Sequence, residues 1–344
     1  MNAISHAKAY LVGLLPGAIQ RPLRHAWWRL WRGQGRAQNV PVIRPGVLKP
    51  IARAVHADRA VVPGQLSFPD HRPAGEPSRL YSSLCRYDLL ESQAFRHWAT
   101  RLGEPWRPDR KLWEFCYVCQ ALYERGVLRP GAAGLGFAVG QEPLPSLFAS
   151  FGCRIVATDL APDDGRAADW AQSGQWLEDI RLLNARNLCD PQAFERLVTV
   201  QSCDMNRIPE DLRNFDFTWS SCSFEHCGDL EKGLQFLMNQ MDCLKPGGVA
   251  VHTTEFNLSS NDQTLDEGVT VIYRCRDMES IVSRLRAAGH NVEGLDLALG
   301  DSPMDSTIDL PPYPAPYERK QHMRLVIRDW VATSVGLIIT KRLD

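Results

Sequence analysis

Hydrophobic and polar positions change their spacing along the chain, and the changes divide it into three parts. From Leu128 onward, short apolar runs alternate with stretches of helical period, the pattern of a parallel α/β sheet. The runs predict strands near Ala133–Ala138, Arg154–Thr158, Leu197–Ser202, Asp216–Ser220, Gly248–Thr254, Asn291–Leu297 and Val331–Lys341. Helices fit between them at Leu144–Phe151, Asp164–Trp176, Pro191–Arg196, Asp229–Leu244 and Met278–Ala288. Upstream, residues 78–126 have helical period over Tyr81–Leu102 and Lys111–Arg125, split by Gly103-Glu-Pro-Trp-Arg-Pro108. Residues 1–77 are an arm rich in Pro, Arg and Gly that ends in a linker, Val61–Pro77. Within the arm only Arg21–Gly33 is patterned: wound as a helix, it puts Leu23, Trp27, Leu30 and Trp31 on one stripe. The expected organisation is therefore a basic arm over 1–77, a helical cap segment over 78–126 and an α/β domain over 127–344. There are no internal repeats.

With 44% hydrophobic and 23% charged residues in 344, the composition is that of a soluble globular protein. It excludes a disordered, collagen-like or coiled-coil chain. No apolar run reaches the ~18 residues of a membrane-spanning helix. The net charge of −1 conceals an asymmetry. Residues 1–60 carry ten Lys/Arg and one acid, a net +9, which leaves −10 for the remainder. Tryptophan beside arginine in the arm suits an anionic membrane surface or a polyanion; the alternative is that the tryptophans pack on the body and the arginines are solvated. The acidic body opposes nucleic-acid binding, which requires phosphate neutralisation. Ala9–Ile19 is mostly apolar and follows Lys8, but it contains Pro16 and lacks a small-residue cleavage site, so it does not read as a secretory signal. Ten cysteines scattered through apparent strands and helices point to a reducing cytosol. The expected location is thus cytoplasmic, with the arm offering contact to the inner face of a membrane. Cys116 and Cys119 form a lone CxxC inside a helical run and read as core thiols, not a zinc site.

Candidate chemistry gathers at the strand ends. Gly134-Leu-Gly-Phe-Ala-Val-Gly-Gln-Glu142 closes the first strand and opens a helix, a turn that lets backbone N–H groups approach a ligand. The second strand ends in Asp159, nineteen residues after Gly140. An acid there accepts two ribose hydroxyls in nucleotide-binding α/β folds; the alternative is a helix cap. Further along come Cys203-Asp-Met-Asn206, Phe215-Asp-Phe-Thr-Trp-Ser-Ser221, Ser223-Phe-Glu-His226 and Leu244-Lys-Pro-Gly-Gly248.

With these motifs in order, residues 128–342 resemble a class I S-adenosylmethionine-dependent methyltransferase, nearest the broad ubiquinone-methyltransferase-like group. The resemblance implies a Rossmann-like seven-stranded sheet with helices on both faces and the last strand antiparallel. It implies S-adenosyl-L-methionine as cofactor, with the loop from Gly136 to Glu142 (Gly136, Ala138, Gly140, Glu142) around the methionine part. Asp159 would take the ribose, Asp204 and Met205 the adenine, and Ser220 and Ser221 would lie under the sulfonium. The first loop departs from the family pattern: Gly136 stands where an acid is usual, Ala138 where the first glycine is usual, and Glu142 where a later glycine is usual. Glu142 or Glu114 could supply the missing charge from another direction.

The remaining residues concern the acceptor. Glu225 and His226 follow the fourth strand, beside the expected transfer point. An imidazole there suits a general base at neutral pH; the alternative is that both residues shape the pocket. Glu255 and Asn257 alternate with Phe256 just beyond the fifth strand and are candidates for acceptor hydroxyls, or else loop caps. The long connection at about residues 300–324 carries Tyr313 and Tyr317 among aspartates, which suits a lid over a polar, sugar-like acceptor. Asp301, Asp305 and His322 fit no standard metal spacing, so no metal is expected. The expected reaction is methyl transfer to a small-molecule or glycan acceptor, at oxygen. A non-catalytic scaffold of the same fold is the rival, supported by the altered first loop. A nicotinamide-dependent oxidoreductase fails for want of GxGxxG in frame.

Overall fold

The computed structural model describes residues 60–61, 79–172, 175–313 and 321–343. The expectations for the basic arm, including its Trp27 and Trp31 stripe, and for Tyr317 fall outside the described residues.

Each apolar run contributes a strand to one central sheet, although of the run over Asn291–Leu297 only Asn291–Val292 does so. The strands are β1 (Ala133–Gly136), β2 (Arg154–Asp159), β3 (Val198–Ser202), β4 (Phe215–Ser221), β5 (Leu244–Asn257), β6 (Asn291–Val292), β7 (Leu325–Ile327) and β8 (Trp330–Thr340). Their order across the sheet is β7-β8-β5-β4-β1-β2-β3, with β6 also beside β8. Strands β1 to β5 run parallel, and β8 lies antiparallel to β5 from Ala332↔Asn257 to Thr340↔Val249. The sheet has eight strands where seven are expected, because Leu325–Ile327 turns back on β8 as a hairpin. Because the chain order reverses between β1 and β4, the loops after β1 to β4 open into one crevice at the carboxyl edge of the strands.

The helices are α1 (Tyr87–Glu91), α2 (Gln93–Arg101), α3 (Arg110–Glu124), α4 (Leu144–Ser150), α5 (Ala167–Gln172), α6 (Pro191–Leu197), α7 (Leu230–Asn239), α8 (Cys275–Ala287) and α9 (Pro303–Ser306). Alternation along the strands divides the core in two. Phe217, Trp219, Val249 and Val251 pack with Trp113, Tyr117 and Phe148, while Leu135, Phe137 and Ala250 pack with Phe224, Phe236 and Tyr273. Within β1, two close approaches need glycine. A Cβ at Gly134 would lie 2.3 Å from the Phe217 ring, and one at Gly136 2.4 Å from the Trp219 ring.

Helix α3 positions the site. Asp109 caps it, accepting from the backbone of Lys111 and Leu112, and ten of its residues are buried between the sheet and α2. Cys116 and Cys119 are among them, and all ten cysteines are free. The predicted helix over Tyr81–Leu102 is broken by tertiary contacts. Ser82 and Ser83 instead pair in parallel with Leu295 and Asp296, and the Arg86 guanidinium bridges Asp88 and Asp296. The same pairing splits the strand expected over Asn291–Leu297. Among the described residues no helix is long and apolar enough to cross a membrane.

Candidate functional site

One cavity of about 500 Å³ fills the crevice. The loop after β1 forms one wall. There Ala138 takes a left-handed conformation, φ 47°, so a backbone turn that glycine adopts freely is imposed on alanine. Gly140, φ 52°, packs so tightly that a Cβ would lie 2.1 Å from the Gln175 carbonyl oxygen. Asp159 at the end of β2 ties these pieces together: Oδ2 accepts from the backbone of Gly140 at 3.2 Å and Leu177 at 3.0 Å, and Oδ1 from Leu160 at 2.8 Å. Burial raises its pKa, although the three N–H groups act in the opposite sense. After β3, Asp204 accepts from Asn206 N at 2.9 Å and from Arg166 Nη2 at 2.7 Å, and Met205 lies beside it on the wall.

Glu142 opens α4 at the cavity. Its Oε1 accepts from Trp219 Nε1 at 2.6 Å, and burial pushes its pKa up to about 7. Ser221, at the end of β4, also lines the cavity. Beyond it Cys222 is left-handed, φ 50°, and its thiol donates to Glu114 Oε1 at 3.0 Å. Arg110 and Lys111, in the first turn of α3, reach over this corner. Arg110 Nη1 meets Glu114 at 3.2 Å and Nη2 meets Glu255 at 2.6 Å, while Lys111 Nζ meets Glu114 Oε2 at 2.5 Å. Burial works against the Glu114 charge, but Lys111 and Arg110 hold its pKa below the ordinary value.

Glu225 and His226 occupy a short 3₁₀ turn, Phe224–His226, after β4. Glu225 Oε2 accepts from Thr254 Oγ1 at 3.0 Å. Burial pushes the pKa values of Glu225 and Glu255 up to about 7, against the pull of Lys111 on Glu225 and of Arg110 on Glu255. His226 Nδ1 lies 2.7 Å from the Val269 carbonyl, which fixes the proton on Nδ1 and leaves the Nε2 lone pair 4.0 Å from Glu225 Oε1. Its ring meets Trp170 edge-on at 4.6 Å, and burial lowers its pKa.

The cavity therefore brings together Ala138, Gly140, Glu142, Asp159, Asp204, Met205, Ser221, Glu225, His226 and Glu255 from five separate stretches of chain. Four expected residues do not join them. Gly136 lies under Trp219, and its lack of a side chain serves packing. Ser220 faces away from the cavity, its hydroxyl 2.8 Å from His252 Nδ1 in the core. Asn257 caps a loop: its side chain donates to Gln263 and Thr264 and accepts from the backbone of Ser259 and Ser260. It and Glu255 stand within β5, not beyond the sheet. Tyr313 turns its hydroxyl onto the backbone of Val326. Glu114 is buried in its ion pairs and does not line the cavity.

A comparison with protein-family models finds no match, and neither does a comparison with curated proteins. Solved structures do match. The glycopeptide N-methyltransferase MtfA is 13% identical, with 68% of this chain and 96% of that one covered at a TM-score of 0.39. The CcbJ methyltransferase from Streptomyces caelestis is 10% identical, with 64% and 92% covered and a TM-score of 0.35. Phosphoethanolamine N-methyltransferase 2 from Haemonchus contortus, in complex with S-adenosyl-L-methionine, is 18% identical over 60% of this chain and 45% of that one, at a TM-score of 0.35. At these identities and TM-scores the likeness carries no argument about this chain.

Arg110, Lys111, Cys222, Arg166 and Trp170 line the cavity without having been singled out from sequence. Arg110 and Glu114 stand at i,i+4 in a helical run, a spacing that signals an ion pair. The left-handed Cys222 has no signal in residue type.

Proposed function

We propose that the chain transfers a methyl group from S-adenosyl-L-methionine to a small-molecule or glycan acceptor, at a hydroxyl oxygen. One observation carries the reading. The Gly140 turn, Asp159, Asp204 and Ser221, from four strand ends, line one cavity at the point where the chain order reverses, where ligands bind in open α/β sheets.

The donor set fits the cofactor. The Asp159 carboxylate accepts from three backbone N–H groups and keeps room for one more donor, on Oδ1, so it can hold a ribose hydroxyl while it fixes the Gly140 loop. Asp204 and Met205 would hold the adenine, with Arg166 steadying the Asp204 carboxylate. Glu142, anchored on Trp219, would face the amino group in place of the acid absent at position 136. When bound, the cofactor supplies an electrophilic methyl group on a sulfonium with a good leaving group, so alignment of the acceptor supplies much of the rate. Glu225, His226 and Glu255 flank the space left for the acceptor. The N-terminal arm, on the same reading, contacts an anionic membrane surface from the cytoplasmic side, each basic residue contributing on the order of 1 kcal/mol.

The test is transfer of labelled methyl from S-adenosyl-L-methionine into a metabolite or glycan extract. Label appearing in a product that is absent without the protein supports the reading. Cofactor binding with no label transferred to any fraction would favour the scaffold rival.

A further inference from the structure

Two buried carboxylate oxygens on the acceptor side of the cavity have no donor. Glu225 is 0% exposed; Thr254 donates to its Oε2, but its Oε1 accepts no hydrogen bond. Glu255 is 6% exposed; Arg110 holds its Oε1, but its Oε2 accepts none. Both residues line the cavity, and one oxygen of each, with Cys222 Sγ, falls within 4.8 Å of one another. A buried acceptor without a donor is destabilising. Two of them on residues that line one cavity mark where the donors of a ligand go.

Three kinds of ligand supply such a group: a divalent cation, an ammonium or a neutral pair of hydroxyls. The charges behind the carboxylates choose between them. Arg110 already sits 2.6 Å from Glu255, and Lys111 lies beside it on Glu114. With Glu225, Glu114, Glu255, Arg110 and Lys111 the corner holds three acids against two bases, so a divalent cation would leave it net positive, and an ammonium in front of Glu255 would face Arg110 across a single carboxylate, in a buried setting where repulsion is poorly screened. The Cys222 thiol, the third atom of the group, is turned onto Glu114 at 3.0 Å. Hydroxyl groups bring donors without added charge, and two on neighbouring carbons can be shared between two carboxylates that approach within 4.8 Å.

We propose that Glu225 and Glu255 together form the acceptor subsite, that it takes two adjacent hydroxyls of a neutral polyol such as a sugar ring, and that Glu225 receives the proton of the hydroxyl being methylated. This rests on the methyl-transfer reading above. In the step, the hydroxyl oxygen bonds to the methyl carbon as the carbon–sulfur bond breaks. The electron pair of that bond stays on sulfur, giving a neutral thioether, and the hydroxyl proton passes to Glu225 Oε1. The His226 Nε2 lone pair, 4.0 Å from that oxygen, offers the proton a way out.

Saturation-transfer NMR on the full chain with S-adenosylhomocysteine tests the subsite. The probes are methyl α-D-glucopyranoside, methyl α-D-mannopyranoside, methyl α-D-galactopyranoside and ethanolamine, with Mn²⁺ added separately. Saturation passes to at least one glycoside and not to ethanolamine, and Mn²⁺ changes nothing. Glu225→Gln and Glu255→Gln each weaken glycoside binding about tenfold or more, while S-adenosylhomocysteine affinity stays as in wild type. No saturation of any glycoside overturns the proposal. So does ethanolamine taking the signal, or Mn²⁺ binding that is lost in both variants. The wild-type comparison of probes needs no variant to fold. Calorimetric titration of S-adenosylhomocysteine alone separates the two readings: an absence of binding there removes the methyl-transfer reading and the subsite with it.

Discussion

Asp159 and Asp204, on the β1–β3 side of the cavity, have a donor on each carboxylate oxygen. Glu225 and Glu255, on the β4–β5 side, each leave one oxygen without any. The first pair is held mainly by backbone N–H groups of the loops it organises, so that half of the cavity is built before a ligand arrives. The second pair sits on rigid strand and turn positions among buried charges and is completed only by a ligand. On the proposed reading, one half would hold a constant partner and the other take up a particular one.

The contrast breaks most visibly at Arg110. Removing it leaves Glu255 and Glu114 as buried charges short of a partner. Arg110→Ala should destabilise the fold by about 3–5 kcal/mol, read by chemical denaturation. A loss below ~1 kcal/mol would mean that the acidic corner is more solvated than the geometry indicates.

Glu225 comes next. In an assay with the glycoside that shows saturation transfer, Glu225→Gln should lower kcat by roughly 10²–10⁴-fold, and His226→Ala by less than about tenfold, since the imidazole lies one step away. Glu225 is faced by Thr254, Glu255, His226, Cys222 and the Arg110–Lys111–Glu114 group. The wild-type rate should rise with pH through about 7 as Glu225 loses its proton, and this limb should vanish in Glu225→Gln. A limb well below that, abolished by His226→Ala, would return the base role to the imidazole. Stability moves the opposite way. The folded Glu225 carboxyl keeps its proton up to about 7, whereas the unfolded one loses it near 4.5. The folded state therefore binds more protons between those values, and stability falls as pH rises through them. Thermal melts should show Glu225→Gln gaining on wild type from pH 5 to pH 8.

On the opposite side, Asp159→Ala strips a partner from three backbone N–H groups and should destabilise by about 1–3 kcal/mol, with loss of hydrogen-exchange protection at Gly140 and Leu177. Unchanged protection would show that the loop holds itself. The smallest effect belongs to Tyr313. Tyr313→Phe should destabilise by about 0.5–1.5 kcal/mol through its Val326 contacts, and leave S-adenosylhomocysteine affinity as it was. A fall in that affinity would bring Tyr313 back to the site.

Much of the sheet and half of the site were legible in residue order. Strand ends are fixed by local pattern, so Asp159, Asp204 and Ser221 were found where the apolar runs stop. Residues placed by tertiary approach were not. Gly136 resembles a loop glycine, and only the Trp219 ring beneath it shows that it is there for packing. Ser220 and Ser221 are indistinguishable in sequence, and the pleat turns one to His252 and the other to the cavity. Glu255 and Asn257 share that difficulty: both fall on buried positions of β5, and only the arrival of Arg110 from α3 makes Glu255 part of the site while Asn257 holds a loop. Arg110 itself lies 145 residues from Glu255, beyond the reach of any spacing rule.

The central claim is that the cavity at the strand ends is a cofactor site. Isothermal titration of the full chain with S-adenosylhomocysteine tests it most directly. Saturable binding at one site per chain is expected, weakened about 10- to 100-fold in Asp159→Ala, as for loss of hydrogen bonds to a charged group. No heat of binding in the wild type, or equal affinity in the two proteins, would contradict it.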